Sequence, residues 1–210
     1  MKEIAILDYG ISNIWSVKQA FEFLGCKVSV VNDKNNISNH GALVLPGVGS
    51  FKVAMNRIQE TGFDEKIIER IERGSAKILG ICLGMQVLAK SGEEDGGSHG
   101  LGLFEGNVVG FDQELVESTG LKVPHVGFNS VQKNHNSRLF EGIQSGSDFY
   151  FVHSFSLPSF GHSFEAATCD YGHGFVAAIE QNNVFATQFH PEKSQVNGLK
   201  LIDNFLKVKV

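Results

Sequence analysis

The tetrapeptide Ile78-Leu79-Gly80-Ile81 is apolar at both alternating positions, and a strand of that kind must be covered on both faces, as in a parallel sheet flanked by helices. The residues before it supply those layers. Ile4-Ala5-Ile6-Leu7, Val28-Ser29-Val30-Val31 and Ala42-Leu43-Val44-Leu45 have the length and β-branching of strands, whereas Ile14, Val17, Phe21 and Leu24 recur at helical spacing. Ser12 or Asn13 can cap that helix and Gly25 can end it. Further helices are expected around Phe51 to Ile58 and over Ile67, Ile68 and Ile71, the latter ending at Gly74. The order β-α-β-β-α-α-β-α predicts an α/β, doubly wound domain with a central, mostly parallel sheet.

After residue 102 the periodicity moves toward two. Asn107 to Phe111, Phe149 to Val152, Phe175 to Ile179 and Val184 to Thr187 read as additional antiparallel strands, with Asn182-Asn183 as a hairpin turn. Leu199, Ile202, Phe205 and Leu206 mark one face of a final helix. The glycine- and charge-rich stretch Ser91 to Gly102 is expected to be a surface loop. There is no internal repeat, so residues 1–210 are expected to form a single domain.

Composition narrows the function classes. The net charge of −5 and the lack of a Lys/Arg-rich run argue against nucleic acid or an anionic membrane as partner. An acid at Asp8 interrupts the first apolar run too early for a signal peptide, and no apolar stretch approaches the roughly 20 residues of a membrane span. Three cysteines, Cys26, Cys82 and Cys169, lack framework spacing, which suits reduced thiols in the cytoplasm.

One of the three stands apart. Gly80-Ile81-Cys82-Leu83-Gly84 places Cys82 between two glycines, after a predicted strand and before a predicted helix. This is a nucleophile elbow with Cys in place of Ser, where glycine on either side relieves the crowding of a sharp turn. A helix N-terminus also favours the thiolate, the competent nucleophile. The competing reading is a small buried hydrophobe at a strand end.

Gln188-Phe189-His190-Pro191-Glu192 follows another predicted strand. Pro191 keeps His190 out of the α region, and if the chain stays extended His190 and Glu192 share a side. The glutamate can then orient the imidazole as a general base toward the cysteine. An isolated His-Pro-Glu is more often a solvated surface pair, but His190 ends a predicted strand as Cys82 does, which puts both groups on the crevice edge of an open sheet. Zinc is a poor alternative, since neither C-x-x-C nor H-x-x-x-H occurs.

With these two motifs the chain resembles the class I, or triad, glutamine amidotransferases, whose elbow reads G-x-C-x-G and whose late strand ends in H-P-E. Asp8 to Ile14, Leu45 to Phe51, Pro124 to Asn129, Tyr150 to Phe155 and Gln188 to Gln195 extend the likeness over nearly the whole chain. The resemblance implies that Cys82 attacks the side-chain amide of L-glutamine, that His190 shuttles the proton and that Glu192 orients it. It also implies an oxyanion hole of backbone N–H groups, from Leu83 and from Val48 or Gly49, the glycines around Val48 letting that peptide turn. Gln86, four residues after Cys82, would meet the α-amino or carboxylate end of the substrate, and the backbone of His153, Ser154 and Phe155 would complete the pocket. No cofactor and no metal is implied.

The resemblance further implies a partner. The glutaminase domain accounts for the whole sequence given, so the ammonia acceptor is expected on another polypeptide, a (β/α)₈-barrel cyclase in a heterodimer. Asn13, Phe128, Tyr150 and Lys193 fall at family positions near that docking face. The family usually has tryptophan at the position of Phe128 and Gly-Asn-Leu at Ser12-Asn13-Ile14. Similar chains from bacterial surface-sugar clusters supply ammonia to sugar amination, so two acceptor pathways fit. A cysteine hydrolase of γ-glutamyl peptides and a non-catalytic regulatory subunit are the readings from other classes.

Overall fold

The computed structural model describes residues 2–209. In chain order the elements are β1 (Glu3–Leu7), α1 (Ile14–Phe23), β2 (Lys27–Val31), β3 (Ala42–Gly47), α2 (Phe51–Thr61), α3 (Phe63–Glu72), β4 (Lys77–Cys82) and α4 (Leu83–Leu88). There follow β5 (Ala89–Gly92), β6 (Ser98–His99), β7 (Phe104–Gly110), α5 (Gln113–Ser118), β8 (His125–Lys133), β9 (Ser147–His153) and β10 (Phe155–Ser156). β11 (Glu165–Tyr171), β12 (His173–Gln181), β13 (Val184–Thr187) and α6 (Gln195–Lys207) complete the chain. Among the described residues no helix is long and apolar enough to cross a membrane.

A nine-stranded sheet in the order β2-β1-β3-β4-β13-β12-β11-β8-β9 forms the frame. Strands β2 to β13 run parallel, and from β13 onward each neighbour is antiparallel. The alternation of apolar residues makes it doubly wound. Ile4, Ile6, Val44, Leu79 and Ile81 pack with Val17 and Phe21 of α1 and Leu201, Ile202 and Phe205 of α6. The intervening residues Ala5, Leu7, Leu43, Leu45 and Ile78 pack on the other face with Met55 and Ile58 of α2, Ile67 and Ile71 of α3 and Leu88 of α4. Each such side chain contributes about 1.5–3 kcal/mol by leaving water, so a one-residue slip of any central strand would be prohibitive.

The one ammonium that enters this region is fully bonded. Lys77, at the start of β4, donates to the carbonyls of Phe205 at 2.6 Å and Val208 at 2.5 Å, closing the C-terminus of α6. Burial pulls its pKa down to about 8.

The sequence-predicted elements of the first half appear in the expected order. The stretch Ser91 to Gly102 does not: it is no simple loop. Its start belongs to β5, Glu94–Gly96 form a 3₁₀ turn, and Ser98–His99 pair antiparallel with Ser91 and Gly92. β5 and β6 join β7 and β10 in a second, four-stranded sheet. Two of its glycines permit close packing: a Cβ on Gly92 would lie 2.6 Å from the Phe51 ring and one on Gly100 would collide with the Ala89 carbonyl.

Candidate active site

β4 lies between β3 and β13, with Leu45 and Ala186 opposite Gly80 and Gly47 opposite Cys82. At its end Cys82 takes φ 55° and ψ −111°, a region that costs a non-glycine residue of order 1–3 kcal/mol. The two glycines of the motif make this turn possible. A Cβ on Gly84 would collide with the Leu45 carbonyl, and one on Gly80 would sit 2.7 Å from the Gly84 carbonyl oxygen. The elbow expected from the sequence is therefore present, and α4 starts immediately at Leu83.

The neighbouring strand β13 delivers the base to the same edge. The backbone of His190 is held at both ends, its N–H donating to the Tyr150 carbonyl at 2.8 Å and its carbonyl accepting from the buried Ser194 hydroxyl at 2.6 Å. His190 is extended (φ −94°, ψ 98°), as Pro191 dictates. The two residues of the pair do not meet by strand alternation, however. A 3₁₀ turn over Pro191–Lys193 folds Glu192 back so that its Oε1 lies 2.8 Å from Nδ1 of His190. With Nδ1 bonded there, Nε2 is the ring nitrogen left to exchange a proton, and it is buried without a hydrogen-bond partner among the described residues. Burial opposes charging of the ring, but the nearby Cys82 sulfur and the Glu192 carboxylate outweigh it and hold the pKa of His190 well above the ordinary histidine value.

The Cys82 sulfur faces the Val152 carbonyl at 3.7 Å, with the Gln188 amide nitrogen at 3.8 Å. Glu192→Gln will lower kcat for glutamine hydrolysis by about 10²–10⁴-fold yet leave it measurably above a Cys82 variant, since the base remains and only its tautomer and orientation are lost. A Glu192→Gln enzyme with wild-type kcat would show the carboxylate to be a bystander.

Cys82 and His190 open into a cleft of about 240 Å³, the size of a small ligand site. Its walls include Val48, Gly49, Leu83 and Gln86 from the first half and His153, Ser154 and Phe155 from the second, so the sequence-predicted oxyanion and substrate residues converge. Two of them are arranged in ways the sequence did not suggest. The N–H of Val48 is engaged by the Ile11 carbonyl at 3.2 Å. The amide nitrogen of Gln86 donates to the carbonyl of Phe155 at 2.9 Å and to Oε1 of Gln188 at 3.1 Å. What Gln86 has left is its carbonyl oxygen, an acceptor suited to an α-ammonium rather than an α-carboxylate.

Other groups at the site went unnoticed in the sequence. Glu94 lines the cleft, and its carboxylate accepts the Phe51 N–H at 2.7 Å while burial raises its pKa. The run of acids just before Gly96-Gly97 was the available signal. Behind the wall, His153 donates from Nδ1 to the Phe155 carbonyl at 2.8 Å, so its Nε2 accepts from Nδ1 of His125 at 3.0 Å. Burial lowers the pKa of His153 to about 3 and that of His125 to about 4, leaving both neutral at pH 7, as a single bond between the rings requires. The other two cysteines are buried free thiols whose pKa values burial raises, that of Cys169 to about 12.

Phe128, Tyr150 and Lys193 form one patch at the outer end of this region. Phe128, 51% exposed, lies opposite Tyr150 in the β8–β9 ladder, with ring centroids 5.5 Å apart, and Lys193 places its ammonium 5.7 Å from the Tyr150 centroid. Asn13 stands at the N-cap position of α1 without a capping bond, its Oδ1 accepting instead from the Ser16 hydroxyl at 3.3 Å, and α1 packs beside the Pro191–Lys193 turn.

A cysteine on a strained strand-to-helix turn and an imidazole bonded to a glutamate in the 3₁₀ turn after the adjacent strand thus meet at one small cleft. The chain belongs to the Glutamine amidotransferase class-I family, whose model matches residues 5–208. Solved structures agree on the fold: a glutamine amidotransferase superposes with TM-score 0.76 at 21% identity, covering 97% of each chain. A structure of PurLQS from Thermotoga maritima superposes with TM-score 0.74 at 19% identity, covering 98% of this chain and 97% of that one. Within the family the chain groups with the HisH subunits of imidazole glycerol phosphate synthase. It is 44% identical to subunit HisH 1 of Campylobacter jejuni (strain RM1221) over 98% of this chain and 100% of that protein. To HisH of Acinetobacter baylyi it is 43% identical over 99% and 98%.

Proposed function

We propose that this chain is the glutaminase subunit of an imidazole glycerol phosphate synthase, hydrolysing L-glutamine and passing the ammonia to a separate (β/α)₈-barrel cyclase in a cytoplasmic heterodimer of histidine biosynthesis. The observation that carries this reading is the convergence of Cys82, His190 and Glu192 on one small cleft, in a chain 42–44% identical to HisH subunits along its length. The Cys82 thiolate attacks the side-chain carboxamide carbon, and the tetrahedral oxyanion is met by the N–H groups of Leu83 and Val48. His190 gives its proton to the departing ammonia. Water, deprotonated by the same ring, then cleaves the γ-glutamyl thioester to glutamate. Glu94 and the Gln86 carbonyl oxygen hold the α-ammonium of glutamine, and the backbone of His153 to Phe155 holds the rest.

Phe128, Tyr150, Lys193 and Asn13 form the docking face for the barrel. An exposed Phe128 packed on a half-buried Tyr150 that carries an ammonium is the kind of anchor an interface uses. Ammonia released to water near neutral pH is mostly protonated and no longer nucleophilic, so a covered mouth is part of the chemistry. The test supplies amide-¹⁵N glutamine to the chain, the cyclase and the cyclase substrate, with excess unlabelled ammonium in solution. Product that retains the ¹⁵N supports channelling, and product that takes its nitrogen from the medium overturns it. Absence of any cyclase response, with a sugar-amination partner responding instead, would reassign the acceptor.

A further inference from the structure

Tyr9 is 3% exposed, and its hydroxyl has no hydrogen-bond partner among the described residues. Buried polar groups are nearly always bonded, so an orphaned hydroxyl in the resting protein calls for a reason. Its position is specific. A Cβ on Gly47 would overlap the Tyr9 oxygen and would also meet Leu83 at 3.1 Å and the Gly84 nitrogen at 3.2 Å. The hydroxyl therefore lies against Gly47, beside the start of α4, and Tyr9 is not among the residues lining the cleft.

Two residues along the same segment, the Ile11 carbonyl accepts the Val48 N–H. In a trans peptide the carbonyl and the N–H point in opposite directions, so turning the Gly47–Val48 peptide exchanges them. The turned peptide frees the Val48 N–H for an oxyanion and swings the Gly47 carbonyl toward Ile11, where it meets another acceptor. A donor is needed there. We propose that the Tyr9 hydroxyl is that donor: unpaired at rest, it catches the Gly47 carbonyl when the peptide turns and so positions Val48 for catalysis.

This assignment rests on the reading of Val48 as an oxyanion donor. Burial, with the charges of Cys82 and Asp8, holds the phenol pKa above its ordinary value, so the hydroxyl keeps its proton at working pH. Tyr9 is thus a positioning residue that never touches substrate.

Tyr9→Phe keeps the buried ring and removes only the donor. For a single net hydrogen bond favouring the turned state, kcat for glutamine hydrolysis by the isolated chain falls about 3–10-fold, while KM holds. The Val48 amide, followed by hydrogen exchange in the isolated chain without glutamine, slows by the same factor, because it reaches solvent through the turned peptide. The thermal midpoint does not fall, since the resting state loses no bond. Unchanged kcat and unchanged exchange would overturn the proposal, as would a lowered midpoint with kcat and KM shifting together, the mark of a packing role. Slowed exchange in Tyr9→Phe, with a wild-type chain that fails to hydrolyse glutamine, would sink the glutaminase reading and leave only the Tyr9–Gly47 bond standing.

Discussion

Cys82→Ser will lower glutamine hydrolysis by about 10³-fold or more while leaving the thermal midpoint within a few degrees of wild type. A hydroxyl is similar in size to the thiol but is not ionised by an imidazole to a comparable extent, so the attacking species nearly vanishes. Little is lost structurally. The sulfur makes only two long contacts, 3.7 Å to Val152 and 3.8 Å to Gln188, and serine fits a turn whose geometry is set by Gly80 and Gly84 rather than by the side chain. Glutamine turnover and a melting curve on the same preparation make the check. A variant that keeps more than about a tenth of the activity at this bound would remove Cys82 from the role of nucleophile. A variant that unfolds would show the sulfur to be structural.

The elbow was legible because two glycines and a cysteine leave few alternatives at the end of a doubly buried strand. The central parallel strands were legible for the same reason, β1, β3 and β4 being apolar on both faces, whereas the edge strand β2 showed itself by its valines. β8 and β11 were not. Along β8 only His125 and Val131 are buried, while Val126 and Phe128 face outward, so the apolar pattern tracks a different surface from the core. β11 reads Glu-Ala-Ala-Thr-Cys-Asp-Tyr, with small and polar residues that carry no strand signal of their own and gain one only from β12 and β8 beside them. The Glu192 contact was reached by the right pair through the wrong geometry, a 3₁₀ turn instead of a pleat. The Val48–Ile11 bond and the orphaned Tyr9 hydroxyl depend on segments about 40 residues apart in sequence, a relation no local pattern encodes.

Glutamine hydrolysis by the isolated chain will be slow, and a barrel partner with its acceptor ligand bound will raise kcat by about 10²–10³-fold, the loss seen elsewhere when one oxyanion donor is removed. At rest the Val48 N–H belongs to Ile11 at 3.2 Å, so the competent peptide is a minor state and the largest possible activation is the reciprocal of its population. The magnitude constrains the cause. One net hydrogen bond, about 0.5–1.5 kcal/mol, accounts for no more than about tenfold. The remainder must come from the turned state itself, in which the Gly47 and Ile11 carbonyls oppose one another, and docking has to supply several kcal/mol of preference against that opposition. Steady-state rates of the chain alone, with partner, and with partner plus ligand measure the three populations. Full activity in the chain alone would refute the switch and leave the triad untouched.

The strand that carries the base has a further consequence, one of timing. β13 enters the sheet between β4 and β12, so the centre of the sheet is filled by residues 184–187, about a hundred positions after the nucleophile's strand. During synthesis at about 5–20 residues per second, several seconds separate the emergence of Cys82 from that of His190. Through that interval the nucleophile has neither its base nor the strand that supports its turn. A ribosome-bound chain is therefore chemically silent toward glutamine until its fold closes at the middle.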